Sequence, residues 1–204
     1  MRPGALRKRE FIAWGGVLVA FPLLLFFALA AIVVDDPEPR LDYRLLTFLA
    51  ENTEGSAYAG AADLLVAACL WLGLAILVVL IGALSFRRRF TPALFLGSVT
   101  VGTLVLEKAL KHAFERAAIN QGGSYSFPSG SAMLSLGVVA AVVLLAGYGR
   151  RAWASAGGAA LVFAYGLAIV SLGWHYPSDV AAGWCMASAL VAALWLAFGR
   201  PTFD

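Results

Sequence analysis

Six long apolar runs, separated by short polar or basic segments, dominate the pattern along the chain. They cover about residues 11–34, 58–86, 91–114, 129–147, 152–172 and 180–198. A bilayer core about 30 Å thick needs roughly 20 apolar residues to be crossed as a helix, so the pattern predicts six membrane-spanning helices. No connection is long enough to fold alone, and consecutive spans must run antiparallel. The expected fold class is therefore all-α: a polytopic membrane protein whose residues 1–204 form one six-helix bundle and a single domain. The first run follows the basic cluster Arg2, Arg7, Lys8 and Arg9. It is longer than the apolar region of a signal peptide and leads into Asp35-Asp36-Pro37 instead of a small-residue cleavage site, so it is expected to be retained. Between the first two runs, residues 35–56 carry Pro37, Pro39 and the amphipathic stretch Leu45, Leu46, Phe48, Leu49, which suits a helix lying at the membrane surface.

Composition agrees with this pattern. Hydrophobic residues make up 61% of the chain and charged residues 13%, against about 25% charged in soluble domains. The net charge of +3 is small and scattered, which excludes nucleic acid as a partner and leaves the lipid bilayer. Cys69 and Cys185 lie inside apolar runs without metal-ligand or disulfide spacing and read as small core residues. Lys and Arg are held on the cytoplasmic side of membrane proteins. Ten basic residues fall on one side if the N-terminus is inside, and Arg40, Arg44, Lys108, Lys111 and Arg116 fall on the other. The expectation is a multi-pass protein of the cell membrane with both termini cytoplasmic and its unusual polar residues on the extracytoplasmic face.

Three clusters converge on that outer face. The third run ends in Glu107, Lys108, Lys111, His112, Glu115 and Arg116, six ionisable groups in ten residues, where charges must meet protein, water or ligand. Glu107 and Lys111 are spaced to pair at i,i+4, and Lys111, nearer the polar end than Lys108, is a candidate anion ligand. The second cluster, Tyr125-Ser126-Phe127-Pro128-Ser129-Gly130-Ser131, opens the fourth run. Ser129, Gly130 and Ser131 would offer hydroxyls and backbone N–H groups at a helix N-terminus, which suits either a phosphate or a simple N-cap. The third cluster is Trp174-His175-Tyr176-Pro177-Ser178-Asp179. Asp179 could turn back to hold one imidazole nitrogen of His175 and leave the other free, as in a nucleophile with its orienter, or the pair could serve as a helix cap. Asp63, one turn inside the second run, is expected to pair with Lys108 or Lys111, and Trp174 and Tyr176 to be interfacial anchors.

In this order the residues resemble the type 2 phosphatidic acid phosphatase (PAP2) family, whose six-helix members carry K-x6-R-P, P-S-G-H and S-R-x5-H-x3-D on the outer side. Phe127-Pro128-Ser129-Gly130 is similar to the second motif and Gly173 to Val180 to the third, while Lys111 looks like the start of the first; the similar core spans about residues 58–199. The resemblance implies that His175 attacks phosphorus and becomes a phosphohistidine, that Asp179 orients it, and that neither metal nor cofactor takes part. It implies a phosphate seat built by Lys111 and the Ser129–Gly130 turn, and a phosphorylated membrane lipid as ligand; Ser131, next in that turn, and Arg116, two positions before Ala118, are the residues expected to complete the seat in place of the family's own. The chain also departs from the motifs. The expected arginine of the first motif falls on Ala118, the acid histidine on Ser131 and the arginine of the third on Ile169. One such arginine is worth roughly 10³ or more in phosphoryl transfer, and a general acid about 10²–10⁴. Two readings follow. One is a lipid phosphatase or phosphotransferase acting on phosphatidic acid or a polyprenyl diphosphate with weakened or altered activity. The other is a catalytically inactive relative that binds a lipid phosphate or a protein partner. A transporter would lead one to expect ionisable residues at mid-bilayer or paired broken helices, and neither is present in the sequence.

Overall fold

The computed structural model describes residues 3–53, 55–119, 124–146 and 150–198, with backbone alone for residues 3–14. Arg2, Arg200 and the side chains of Arg7, Lys8 and Arg9, on which the expected orientation partly rests, lie outside the described residues, as does Gly147 at the end of the fourth run. The described residues form seven helices: α1 (Pro3–Asp35), α2 (Arg40–Thr53), α3 (Ala57–Phe86), α4 (Phe90–Phe114), α5 (Gly130–Leu145), α6 (Arg151–Ser171) and α7 (Pro177–Ala197). Each apolar run becomes one helix, and α2 is the extra element within the polar segment. By length and composition α1, α3, α4, α6 and α7 can each cross a membrane. The sixth apolar helix, α5, has 16 residues, about 24 Å at 1.5 Å per residue.

Helix α7 packs against α1, α5, α4 and α2, and α5 packs against α4, α6 and α7. These contacts make α5 and α7 the inner pair. Helix α3 faces outward over much of its length, exposing Leu70, Trp71, Leu72, Val78 and Val79, as a lipid-facing surface does in a protein whose solvent is hydrocarbon. Close approach of the inner helices depends on glycine. A Cβ at Gly183 of α7 would come within 2.6 Å of the Ser129 carbonyl oxygen at the start of α5, and one at Gly166 of α6 within 2.4 Å of the Trp184 ring. Small residues at such crossings let backbones meet, which is the usual basis of helix association in bilayers.

Helix ends are tied by specific groups. The Arg88 backbone is left-handed at φ 59°, and the N–H groups of Arg88 and Arg89 return to Ser85 and Leu84 at 2.9 and 2.8 Å, closing α3. Arg151 donates to the carbonyls of Ala146 and Leu144 at 2.9 and 2.8 Å, satisfying acceptors that the last turn of α5 leaves open. At the opposite end of the bundle, α2 buries Asp42, Leu46 and Thr53 along one side. It exposes Leu41, Tyr43, Leu45 and Phe48 along the other, the two-sided character of a helix lying at an interface. The chain carrying α2 thus lies against α6 and the start of α7.

Candidate active site

Helix α4 ends at Glu115, whose backbone turns left-handed at φ 47° and whose N–H bonds the Lys111 carbonyl at 2.9 Å. The turn sends the next residues across the outer end of the bundle. They are held there by a short antiparallel bridge between Ala117 and Tyr125. In it the Ser126 N–H reaches the Arg116 carbonyl at 2.8 Å and the Ala118 N–H the Ser124 carbonyl at 3.0 Å. This fixes the Arg116 backbone and directs its side chain inward, where only 1% of it is exposed.

Buried among polar groups, Arg116 makes four hydrogen bonds. Its Nε donates to the Pro37 carbonyl at 2.8 Å, Nη1 to Ser178 Oγ at 2.8 Å and to Asp179 Oδ1 at 2.6 Å, and Nη2 to Asp42 Oδ2 at 3.0 Å. The guanidinium also lies over the Tyr176 ring, 4.0 Å from its centre. Asp42 completes the circuit: Oδ1 accepts the Ser178 N–H at 2.9 Å, and Oδ2 accepts the Ser178 hydroxyl as well as Arg116. One cation thus joins the polar segment before α2, α2 itself and the start of α7. A planar guanidinium with five donors in a fixed fork suits this task. The sequence leads one to expect Arg116 to supply charge to a phosphate in place of the motif arginine missing at Ala118; its hydrogen bonds run to Pro37, Asp42, Ser178 and Asp179 instead.

Asp179, in the first turn of α7, has no exposed surface. With Oδ1 held by Arg116, its Oδ2 accepts the Tyr176 N–H at 3.1 Å and faces His175 Nδ1 at 3.6 Å. That separation is too long for a hydrogen bond, and Nδ1 is buried without a partner. Contacts of this type are often long in unliganded enzymes and tighten when substrate binds. The imidazole is 16% exposed, so it reaches the surface while the carboxylate facing it does not. Tyr176 is buried, which corrects its expected role as a membrane anchor. Its hydroxyl donates to Glu38 Oε1 at 3.2 Å. Burial, then the Glu38 carboxylate, raise its phenol above the ordinary value, against the pull of Arg116. Trp174, 44% exposed, keeps the surface position expected of it.

The start of α5 lies against the start of α7 through the Ser129 N–H, which bonds the Asp179 carbonyl at 3.0 Å. Ser129 is also the N-cap of α5: its hydroxyl accepts the Ala132 N–H at 3.3 Å and lies 3.3 Å from Ser131 Oγ. From α4, Lys111 pairs with Glu107 at 2.9 Å, both side chains about a quarter exposed. The Glu107 carboxylate rests directly on Gly130, where a Cβ would overlap it. The structure therefore connects all three clusters: Lys111 through Glu107 to Gly130, Ser129 to Asp179, and Asp179 to His175. Asp63 is exposed, and the ion pairs among the described residues leave it out; Lys111 is matched within its own helix. His112 is exposed and meets the Tyr125 ring edge-on at 5.7 Å. Where the motifs lose their charged residues, Ile169 is fully buried, and the Ser131 hydroxyl faces the Tyr165 phenol. Among the described residues no three His, Cys, Asp or Glu side chains converge to hold a metal.

Sequence reasoning missed Asp42, Glu38 and the Pro37 carbonyl. Asp42 lies 74 positions from Arg116 and 136 from Ser178, and no local spacing marks such a partner. The available signal was arithmetic: a buried Asp179 and a nearby Arg116 leave donors that need further acceptors.

Against known families, residues 64–203 match the model of the PAP2 superfamily. The chain belongs to the PAP2 superfamily. A solved PAP2 structure agrees: the first transmembrane PAP2 type phosphatidylglycerolphosphate phosphatase from Bacillus subtilis, 19% identical, superposes with a TM-score of 0.73 over 87% of this chain and 94% of that one. No curated protein matches the chain. Membership accounts for the order of the three clusters, and it makes the buried wiring of this PAP2 chain testable. Replacing Arg116 by Ala strands two buried carboxylates, and removing one partner of a buried pair costs about 3–5 kcal/mol. Thermal unfolding in detergent should fall sharply for Arg116→Ala. Arg116→Lys should recover part of the loss, since it restores the charge without the fork.

Proposed function

We propose that this PAP2 protein is a lipid phosphatase or phosphotransferase that uses His175 as its nucleophile. The observation that carries the reading is the His175–Asp179 pair, a partly exposed imidazole whose Nδ1 faces an oxygen of a fully buried carboxylate fixed on its other side by Arg116. With Nδ1 directed at Asp179, Nε2 is the free atom. Its lone pair attacks phosphorus, the bond from phosphorus to the lipid oxygen breaks, and the electron pair leaves with that oxygen. The imidazolium that results is stabilised by Asp179, the role of the buried aspartate in a catalytic triad. Water then cleaves the phosphorus–nitrogen bond, releasing phosphate and restoring His175; an acceptor alcohol in its place gives transfer.

The phosphoryl oxygens sit against Lys111 and the Ser129–Gly130–Ser131 turn, where a helix N-terminus favours an anion. Arg116 acts through Asp179 and not on the substrate. The ligand is a phosphorylated lipid whose tails stay in the bilayer, in keeping with the printed name of the Bacillus subtilis relative. Without an imidazole acid at Ser131, a diphosphate of the polyprenyl type is favoured over phosphatidic acid, because its leaving group needs less help from a proton. A second reading has an observation of its own: with Ala118, Ser131 and Ile169 in place of charged or acidic groups, the chain binds a lipid phosphate or a protein partner without turnover.

Phosphate release from a polyprenyl diphosphate and from phosphatidic acid by the purified protein separates the two readings. The enzyme reading predicts slow release that His175→Ala abolishes and Asp179→Asn lowers by about 10²–10⁴. Lipid binding without any release supports the second reading.

The orientation, with both termini cytoplasmic in the cell membrane and the cleft outside, rests on the count of basic residues. In a background lacking Cys69 and Cys185, Trp174→Cys should react with an impermeant thiol reagent added to intact cells. Reaction only after permeabilisation would reverse the orientation.

A further inference from the structure

Resting on the seat proposed above, we propose that Glu107 is a built-in competitor of the phosphoryl group and determines how strongly an anion is held there. The two features that would bind a phosphate are the Lys111 ammonium and the N-terminus of α5. One carboxylate pairs with the first and packs against Gly130 at the second. Glu107 holds Lys111 at 2.9 Å, and its carboxyl carbon and both oxygens lie where a Cβ of Gly130 would be. A carboxylate at that spot is stabilised as any anion is at a helix N-terminus, by the partial positive charge of the unpaired N–H end.

The surrounding charge sharpens the effect. Arg116 is shared between Asp42 and Asp179, so the cluster behind His175 carries one more negative than positive charge. A phosphomonoester with up to two negative charges must then either swing Glu107 away from Gly130 and Lys111 or lie against it. Like charges in contact at a partly buried site oppose each other strongly. Glu107 is 22% exposed, so its side chain has an outward path, and the seat opens by rotation about its own bonds. Glu107 is therefore a specificity-determining residue: it weakens doubly charged headgroups most and leaves Lys111 free only when displaced.

Titration of inorganic phosphate into the detergent-solubilised full chain, followed calorimetrically, tests this. Glu107→Gln keeps the shape, removes the charge and releases Lys111, and should bind phosphate at least about tenfold more tightly than the unaltered protein. Glu107→Ala should shift affinity in the same direction, and Lys111→Met added to Glu107→Gln should cancel the gain. A merely structural role for Glu107 does not produce a gain in affinity. If both Glu107 variants bind phosphate no more tightly than the unaltered protein, while Lys111→Met alone abolishes binding, the competitor role is overturned and the seat stands. If neither the unaltered protein nor any Glu107 variant binds phosphate, the seat itself is wrong and the competitor role falls with it.

Discussion

A single guanidinium buried between two carboxylates organises the outer end of this bundle. Arg116 is in contact with both Asp42 and Asp179, and burying charges in this way is tolerated only when their hydrogen bonds are satisfied. That requirement brings the surface helix α2, the turn after α4 and the first turn of α7 into one arrangement. Asp179 can face His175 because its opposite oxygen is already committed. The surroundings of the His175–Asp179 pair are thus set partly by the segment before α2 and by α2 itself, which precede residues 64–203 matched by the PAP2 family model.

The second constraint is the close approach of α5 and α7. Gly183 admits the Ser129 carbonyl, and the Ser129 N–H bonds the Asp179 carbonyl, so the helix start that would cradle an anion is fixed against the helix start that carries the orienting carboxylate. Helix α4 approaches the same point from the other side with Glu107 and Lys111. The chain has the fold of the family, and the positions where the resemblance leads one to expect two arginines and a histidine hold Ala118, Ile169 and Ser131. Ile169 fills its position with a buried apolar side chain, and Arg116 is engaged in structure through Asp42 and Asp179.

Much of this was legible before any coordinates. Six apolar runs separated by basic turns predict six antiparallel helices, because hydrocarbon leaves the backbone few other ways to satisfy its hydrogen bonds. The His175–Asp179 pair and the Ser129 cap also follow from local spacing, and so does the Glu107–Lys111 pair. What spacing could not reveal was long-range. Asp42 read as one more acid in a polar surface segment, and its burial depends on Arg116 far along the chain. Tyr176 read as an aromatic at the interface, yet the same guanidinium draws its ring inward. The position of Glu107 on Gly130 depends on how α4 meets α5, a matter of interhelical packing that neither helix encodes by itself.

The role of His175 is tested most directly by mass-spectrometric mapping of the protein after brief exposure to a polyprenyl diphosphate and an alkaline quench, which preserves phosphohistidine. A phosphoryl group is expected on His175 and absent from His175→Ala. Phosphorylation at another residue, or none at all in protein that demonstrably binds the lipid, would contradict that role.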